Sequence, residues 1–179
     1  VIQIEKPTTE LVPSYLEFLD EMHLQDEMVW EELMPYPEES PTQFIERISI
    51  YKTNPPAHRV PETTYWATIE QTVVGRISLR HILNDHLKEF GGHIGYEVRP
   101  SFRGKGVAKT MLKEVLKTAK AKEMGRLLLT CSPDNLASNR TILANSGVLE
   151  KTDYVERVQR HTNYYWIDLT QNNNSLSKL

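Results

Sequence analysis

The chain has one cysteine, Cys131, in 179 residues. A lone thiol excludes an internal disulfide and a cysteine-rich zinc site, and it suits a reducing, cytoplasmic compartment. No stretch of eighteen consecutive apolar residues occurs, so no membrane span is expected. The opening Val1-Ile2-Gln3-Ile4 lacks the basic segment and long apolar run of a secretory signal, and the missing initiator Met suggests processing or trimming. His58, His86 and His161 are scattered without ligand spacing, so no metal is expected. No internal repeat is present. Hydrophobic content is modest at 39%, but the apolar residues fall in periodic runs. The length accommodates one domain with a sizeable core, read as residues 1–169, followed by a polar tail over 170–179 that is expected to fray.

Positive charge is scarce in the first quarter. Residues 1–46 hold twelve of the 24 acidic residues and one basic residue, Lys6, a balance of −11, and the remainder carries +8. Such a chain is not a uniformly basic nucleic-acid binder. The acidic portion reads as helical and is able to face a cationic amine; the plainer reading is that these residues solvate exposed helix faces.

Periodicity gives the elements. Val1–Lys6 alternates as a strand. Thr8 or Thr9 is placed to cap a helix with Leu11, Tyr15, Phe18, Leu19 and Met22 on one face. Residues 26–40, broken by Pro35 and Pro37, read as a loop with one helical turn. Pro41 opens a second helix with Phe44, Ile45 and Ile48 inward. Residues 63–81 read as a hairpin with its turn at Gln71-Thr72. Residues 82–91 read as a polar loop and 92–98 as a fourth strand. An amphipathic helix from Val107 to Gly125 follows, then a continuously apolar strand Arg126–Cys131, a short helix capped by Asp134 or Asn135, and two final strands over 148–158 and 161–169. The class is mixed α+β.

The densest signal is Val98-Arg-Pro-Ser-Phe-Arg-Gly-Lys-Gly-Val-Ala108, where a strand turns into a helix. Unpaired N–H groups and the positive dipole end of a helix start attract phosphate, glycines allow close approach, and Arg103 and Lys105 add charge. A nucleotide P-loop needs Gly at position 99 and Ser or Thr at 106; the chain has Arg99 and Gly106, so that reading fails. A dinucleotide fingerprint fits Gly104 and Gly106 but meets Lys109 at its third small position. A tight turn without a ligand is the plain alternative.

Arg103-x-x-Gly106-x-Ala108 resembles the pyrophosphate loop of the GNAT-type N-acetyltransferase superfamily, whose pattern is Gln/Arg-x-x-Gly-x-Gly/Ala. Gly95-Tyr96-x-Val98-x-Pro100 resembles the fourth strand of the branch that acetylates protein N-termini and small amines. Asp134-Asn135-x-x-Ser138-Asn139-Arg140, then Gly147, resembles the superfamily's next block, where an Asn and a Ser at a helix start approach the cofactor. The resemblance covers residues 63–169 well and the first 60 by element order. It implies a central, mostly antiparallel sheet of six to seven strands, splayed between strands four and five and flanked by about four helices.

It also implies transfer of an acetyl group from acetyl-CoA to the amine of a small molecule or peptide by direct attack on the thioester, with neither nucleic acid nor membrane as partner. Dimers are common in that superfamily, and a homodimer is one assembly to expect. The cofactor residues it implies are Tyr96, Val98, Arg103, Gly104, Lys105, Gly106, Val107, Ala108, Asn135 and Ser138. A protonated amine cannot attack, so a base is useful. His93 and Glu97, on one face of the fourth strand, are the candidates, with His81 third; His93 is equally readable as a hydrogen-bonded structural histidine and Glu97 as a solvated strand residue. One departure stands out: where many members carry a thiolate-protonating tyrosine, this chain has Leu143, with Tyr164 and Tyr165 as possible replacements. That departure opens the alternative of a noncatalytic acyl-CoA-binding domain.

Overall fold

The computed structural model describes residues 1–27, 29 and 31–170; the tail read from position 170 lies, from 171 onward, outside the described residues, as do positions 28 and 30 of the loop. In order the elements are β1 (Gln3–Glu5), α1 (Val12–Leu24), α2 (Pro41–Ile50), β2 (Glu62–Ile69), β3 (Thr72–Arg80), α3 (Asp85–Glu89), β4 (Ile94–Val98), α4 (Val107–Leu116), α5 (Ala119–Met124), β5 (Arg126–Cys131), α6 (Leu136–Leu143), β6 (Val148–Val155) and β7 (Arg160–Asp168). The described strands form a four-stranded sheet, β1-β2-β3-β4, and a three-stranded sheet, β5-β7-β6. The α+β class and the break between the fourth and fifth strands both agree with expectation. No described helix is long and apolar enough to cross a membrane.

Two compact units divide the chain. The first comprises residues 1–78 and 96–111. Its core joins Tyr15, Phe18, Leu19 and Met22 of α1 to Phe44 and Ile48 of α2 and Trp66 of β2. This is the apolar stripe that period 3.6 writes into α1. Tyr15 lies at its centre, its ring stacked on Trp66 at 4.2 Å and on Phe44 at 5.9 Å. Thr8 makes no side-chain cap; a 3-10 turn, Thr9–Leu11, starts the helix instead. By contrast Ser40 and Gln43 form a reciprocal capping box at α2, a Ser-x-x-Gln signal readable in sequence but not in the expectation above. The hairpin turn is Glu70-Gln71 rather than Gln71-Thr72. Both residues have positive φ, 49° and 66°, as a type I′ turn requires.

The second unit comprises residues 79–95 and 112–179. Leu127, Leu128 and Leu129 of β5 are all buried, consistent with a strand covered on both faces. Two expectations need correction here. The loop over 82–91 contains α3, whose Asn84 side chain accepts from the Leu87 N–H at 2.9 Å. The long helix expected from Val107 is broken: Thr118 adopts extended backbone (ψ 150°), and its hydroxyl accepts from the Ala121 N–H to start α5. The apolar period runs on across the break, so the pattern alone does not reveal the cap.

One polar group crosses the first unit's core. The Tyr15 hydroxyl donates to Leu33 O at 2.8 Å and accepts from the Arg76 guanidinium. Arg76 is 2% exposed, and its Nε donates to Glu97 Oε2 at 3.1 Å. Tyr15→Phe keeps the ring stack but leaves a buried guanidinium N–H without its acceptor. It should therefore lower unfolding stability by about 1–3 kcal/mol, read from the urea midpoint; an unchanged midpoint would show that the hydroxyl is dispensable.

Candidate functional site

The turn that opens α4 is fixed by acids of α1. Glu21 Oε1 accepts from Arg99 Nε at 2.6 Å, and Glu21 Oε2 accepts from the Ser101 N–H at 3.1 Å. Burial opposes the Glu21 charge, but the bonds from Arg99 and Ser101 outweigh it and hold the carboxyl below its ordinary range. Glu17 adds a second contact to Arg99 at 3.3 Å. Arg103 is held on both sides: its Nε donates to Val98 O at 3.1 Å, and its two terminal nitrogens meet Glu27 at 2.6 and 2.7 Å. Lys105 Nζ donates to Ser101 O at 3.0 Å and lies 4.7 Å from the Phe102 ring centre.

Five of the twelve acids in residues 1–46 are thus paired within the first unit. Glu17, Glu21 and Glu27 meet Arg99 and Arg103, Glu32 meets His58 and Arg59, and Glu39 meets Arg47. The reading of this region as a free field for a cationic amine loses those five carboxylates.

Between these anchors the backbone is open. Gly104 and Gly106 have φ of +74° and +79°, and a Cβ on either would meet nothing within 4 Å. Residues 103–106 are exposed, whereas Val107 is 2% exposed and, with Met111 and Leu112, anchors the helix start. Among the described residues, no backbone hydrogen bond is donated by the N–H groups of Gly104, Gly106, Val107 or Ala108. A ten-residue helix supplies the dipole. Exposed amides on a glycine-bearing turn at a helix start suit a diphosphate.

Tyr96, Glu97 and Val98, half-buried on β4, belong to the same unit as the loop. Glu97 is tied to Arg76, and its side chain is 27% exposed. His93, Asn135 and Ser138 belong to the second unit. His93 stands just before β4. Its N–H donates to Leu128 O at 2.7 Å, and its Nδ1 accepts from the Leu128 N–H at 2.8 Å. Burial, reinforced by the nearby Arg80 guanidinium, lowers the imidazole pKa to about 4. Arg80 itself is held by the carbonyls of Gly91 and Gly92.

Asn135 caps α6, its Oδ1 accepting from the Ser138 N–H at 3.1 Å, and Ser138 hydrogen-bonds the Cys131 thiol. Asn139, absent from the expected site, is the centre of this region. Its Nδ2 donates to Ser132 O and Asn135 O at 3.0 and 2.8 Å, and its Oδ1 accepts from Asn163 and from the Tyr165 hydroxyl. The sequence does carry the signal, since Asn139 sits inside the Asp134–Arg140 block. The Tyr164 hydroxyl donates to Glu89 O at 2.6 Å. Both tyrosine protons are therefore committed to internal acceptors, and Leu143 is 55% exposed.

Comparison with known proteins gives consistent results. The microcin C7 self-immunity acetyltransferase, solved with acetyl-CoA and AMP, superposes with a TM-score of 0.66 at 19% identity, covering 93% of this chain and 92% of that one. The ribosomal L7/L12 α-N-protein acetyltransferase with coenzyme A gives 0.65 at 19% identity over 94% of each chain. The ribosomal-protein-S5-alanine acetyltransferase of Vibrio fischeri gives 0.65 at 15%, covering 94% and 93%. At these identities the likeness is one of fold. Among curated proteins no sequence relative matches. The model of the acetyltransferase (GNAT) family matches residues 22–144, which take in both the strand-to-helix turn and the Asn135–Ser138 block. The chain belongs to the GNAT acetyltransferase family, whose acyl donor is acetyl-CoA.

Proposed function

We propose that the protein transfers the acetyl group of acetyl-CoA to a primary amine of a small molecule or peptide, by direct attack of the amine on the thioester. The observation that carries this reading is the exposed backbone from Gly104 to Gly106 at a helix start, with both glycines at positive φ and nothing within 4 Å of where a Cβ would stand. These amides, with the Lys105 charge, hold the diphosphate. Arg103 joins them by exchanging Glu27 for phosphate. Tyr96 and Val98 line the pantetheine arm; Asn135 and Ser138, of the second unit, are the further cofactor residues that the family resemblance implies. The acceptor classes fit the fold neighbours, one an immunity acetyltransferase and others ribosomal-protein acetyltransferases. Residues 1–169 act as one acetyltransferase domain, a reading supported by a family model that runs through both units.

Of the two base candidates, Glu97 is the better placed. Its carboxylate is partly exposed, and Arg76 engages Oε2. It acts on the ammonium group through water. With Nδ1 accepting from Leu128, the neutral His93 ring carries its proton on Nε2, so it has no lone pair to offer. His93 instead holds the junction with β5. The exposed Leu143 and the committed hydroxyls of Tyr164 and Tyr165 favour a second reading, a noncatalytic acyl-CoA-binding domain.

Thiol release from acetyl-CoA with a panel of peptide and small-molecule amines separates the two. Turnover with at least one amine, reduced at least tenfold in Glu97→Gln, is expected. Tight cofactor binding without turnover on any amine establishes the second reading. Gly106→Ala places a methyl on the open face at a backbone cost of about 1 kcal/mol. It should weaken acetyl-CoA binding at least tenfold by calorimetry while the melting temperature falls by only a few degrees. Undiminished affinity would remove the amide grip from the proposal.

The depressed His93 pKa also has a sign. The unfolded imidazole binds its proton near pH 6.5 and the folded one near 4, so the stability it contributes is complete above pH 6.5 and is lost as pH falls toward 4. His93→Asn keeps an acceptor for the Leu128 N–H but does not titrate. Between pH 7 and 4.5 the parent protein should lose more unfolding stability than the variant, by less than the full shift because solvent screens this partly exposed ring. Parallel losses in urea titrations at both pH values would show that His93 titrates normally.

A further inference from the structure

A guanidinium and a carboxylate face each other across two strands of the first unit. β3 and β4 are neighbours in the four-stranded sheet, and the Arg99 N–H donates to Val74 O at 2.9 Å. Further in along the two strands Arg76 meets Glu97, its Nε reaching Oε2 at 3.1 Å. The strands run close here: a Cβ on Gly75 would stand 3.0 Å from Glu97 O.

The two groups differ in burial. The Arg76 side chain is 2% exposed and that of Glu97 is 27% exposed. A carboxylate in partial contact with water does not need an arginine. A buried guanidinium is costly to desolvate, and an apolar side chain in its place is often as stable or more so. Stability is therefore a poor account of Arg76.

Orientation is a better one. A guanidinium is planar, and its donors point in fixed directions. One Arg76 donor meets the Tyr15 hydroxyl and another meets Glu97 Oε2, so fixing the first aims the second. Tyr15 is itself held. Its ring stacks on Trp66 and Phe44, and its hydroxyl donates to Leu33 O at 2.8 Å. The turn carrying that acceptor is fixed from α2, where Arg47 donates to Glu32 O and Met34 O, both at 2.7 Å. All of these residues belong to one unit.

We propose that Arg76 and Tyr15 are positioning residues for the acetyl transfer. They hold Glu97 by Oε2, so that Oε1 is the oxygen that takes, through water, the proton of the ammonium group. Both act through Glu97, and the inference rests on the reading of Glu97 as the base.

A double-mutant cycle on an amine that the parent acetylates tests this. Tyr15→Phe keeps the ring stack, and Arg76→Lys keeps the charge but loses the planar fork. At saturating acetyl-CoA and amine, kcat should fall about fivefold in Tyr15→Phe and about tenfold in Arg76→Lys, with the KM for acetyl-CoA unchanged. In a Glu97→Gln background, Tyr15→Phe should leave kcat where Glu97→Gln alone puts it, because the aimed oxygen no longer acts as a base. A role confined to the fold would lower kcat by the same factor in both backgrounds. Rates are taken well below each variant's melting temperature by circular dichroism, and Tyr15→Phe carries the cycle even if Arg76→Lys does not fold. If Glu97→Gln loses turnover but Tyr15→Phe keeps full kcat, or costs the same in both backgrounds, the positioning role is overturned and the base stands. Full turnover in Glu97→Gln overturns the base and the positioning role with it.

Discussion

The Glu21 carboxylate ties α1 to the turn that opens α4. It accepts from the Arg99 side chain and from the Ser101 N–H, so it fixes both a guanidinium and the backbone at the entrance to the loop. The chain after Ser101 then reaches Val107, which is buried and locks the first turn of the helix. Between those two points Gly104 and Gly106 carry the backbone through positive φ without side chains in the way. The exposed amides are thus held by a carboxylate on one side and an apolar anchor on the other. Preorganised donors of this kind need no rearrangement to meet an anion.

The same carboxylates explain the uneven charge along the chain. An acidic N-terminal segment and a basic loop neutralise each other within one unit, through Glu17, Glu21 and Glu27 against Arg99 and Arg103. Part of the formal balance of the first 46 residues is therefore internal pairing. Arg103 is the informative case. Its bidentate contact with Glu27 is 45% exposed on the arginine side, a pair that contributes little to stability. Deeper in the unit, Arg76 has no such freedom. It is enclosed between Tyr15 and Glu97, and its full set of partners stabilises a charge that burial alone would expel.

In the second unit two side chains hold the backbone. His93 takes the Leu128 N–H at the root of β4, and Asn139 gathers the turn 132–135, Asn163 and Tyr165. Both are polar residues used as connectors where backbone groups lack ladder partners. Asn135, by capping α6, is committed in the same way. The block that resembles a cofactor-contacting motif is therefore also the block that folds the turn before α6, so its spacing answers to structure as well as to binding.

Sequence alone determined the apolar stripe of α1, the buried strand β5 and the strand–turn–helix around Arg103 to Ala108, because each is set by residues a few positions apart. The loop glycines and the family pattern are local in the same sense. The hairpin turn slipped by one residue, since Glu70 and Gln71 adopt positive φ without glycine to announce it. Only the tertiary structure decided which groups are free to do chemistry. His93 lost its lone pair to Leu128, thirty-five residues away, Tyr165 its proton to Asn139, and Glu21 its charge to Arg99. A side chain's intrinsic pKa and donor count are written in the sequence, but its partner is chosen by distance in space, and a committed hydrogen bond outweighs an intrinsic propensity.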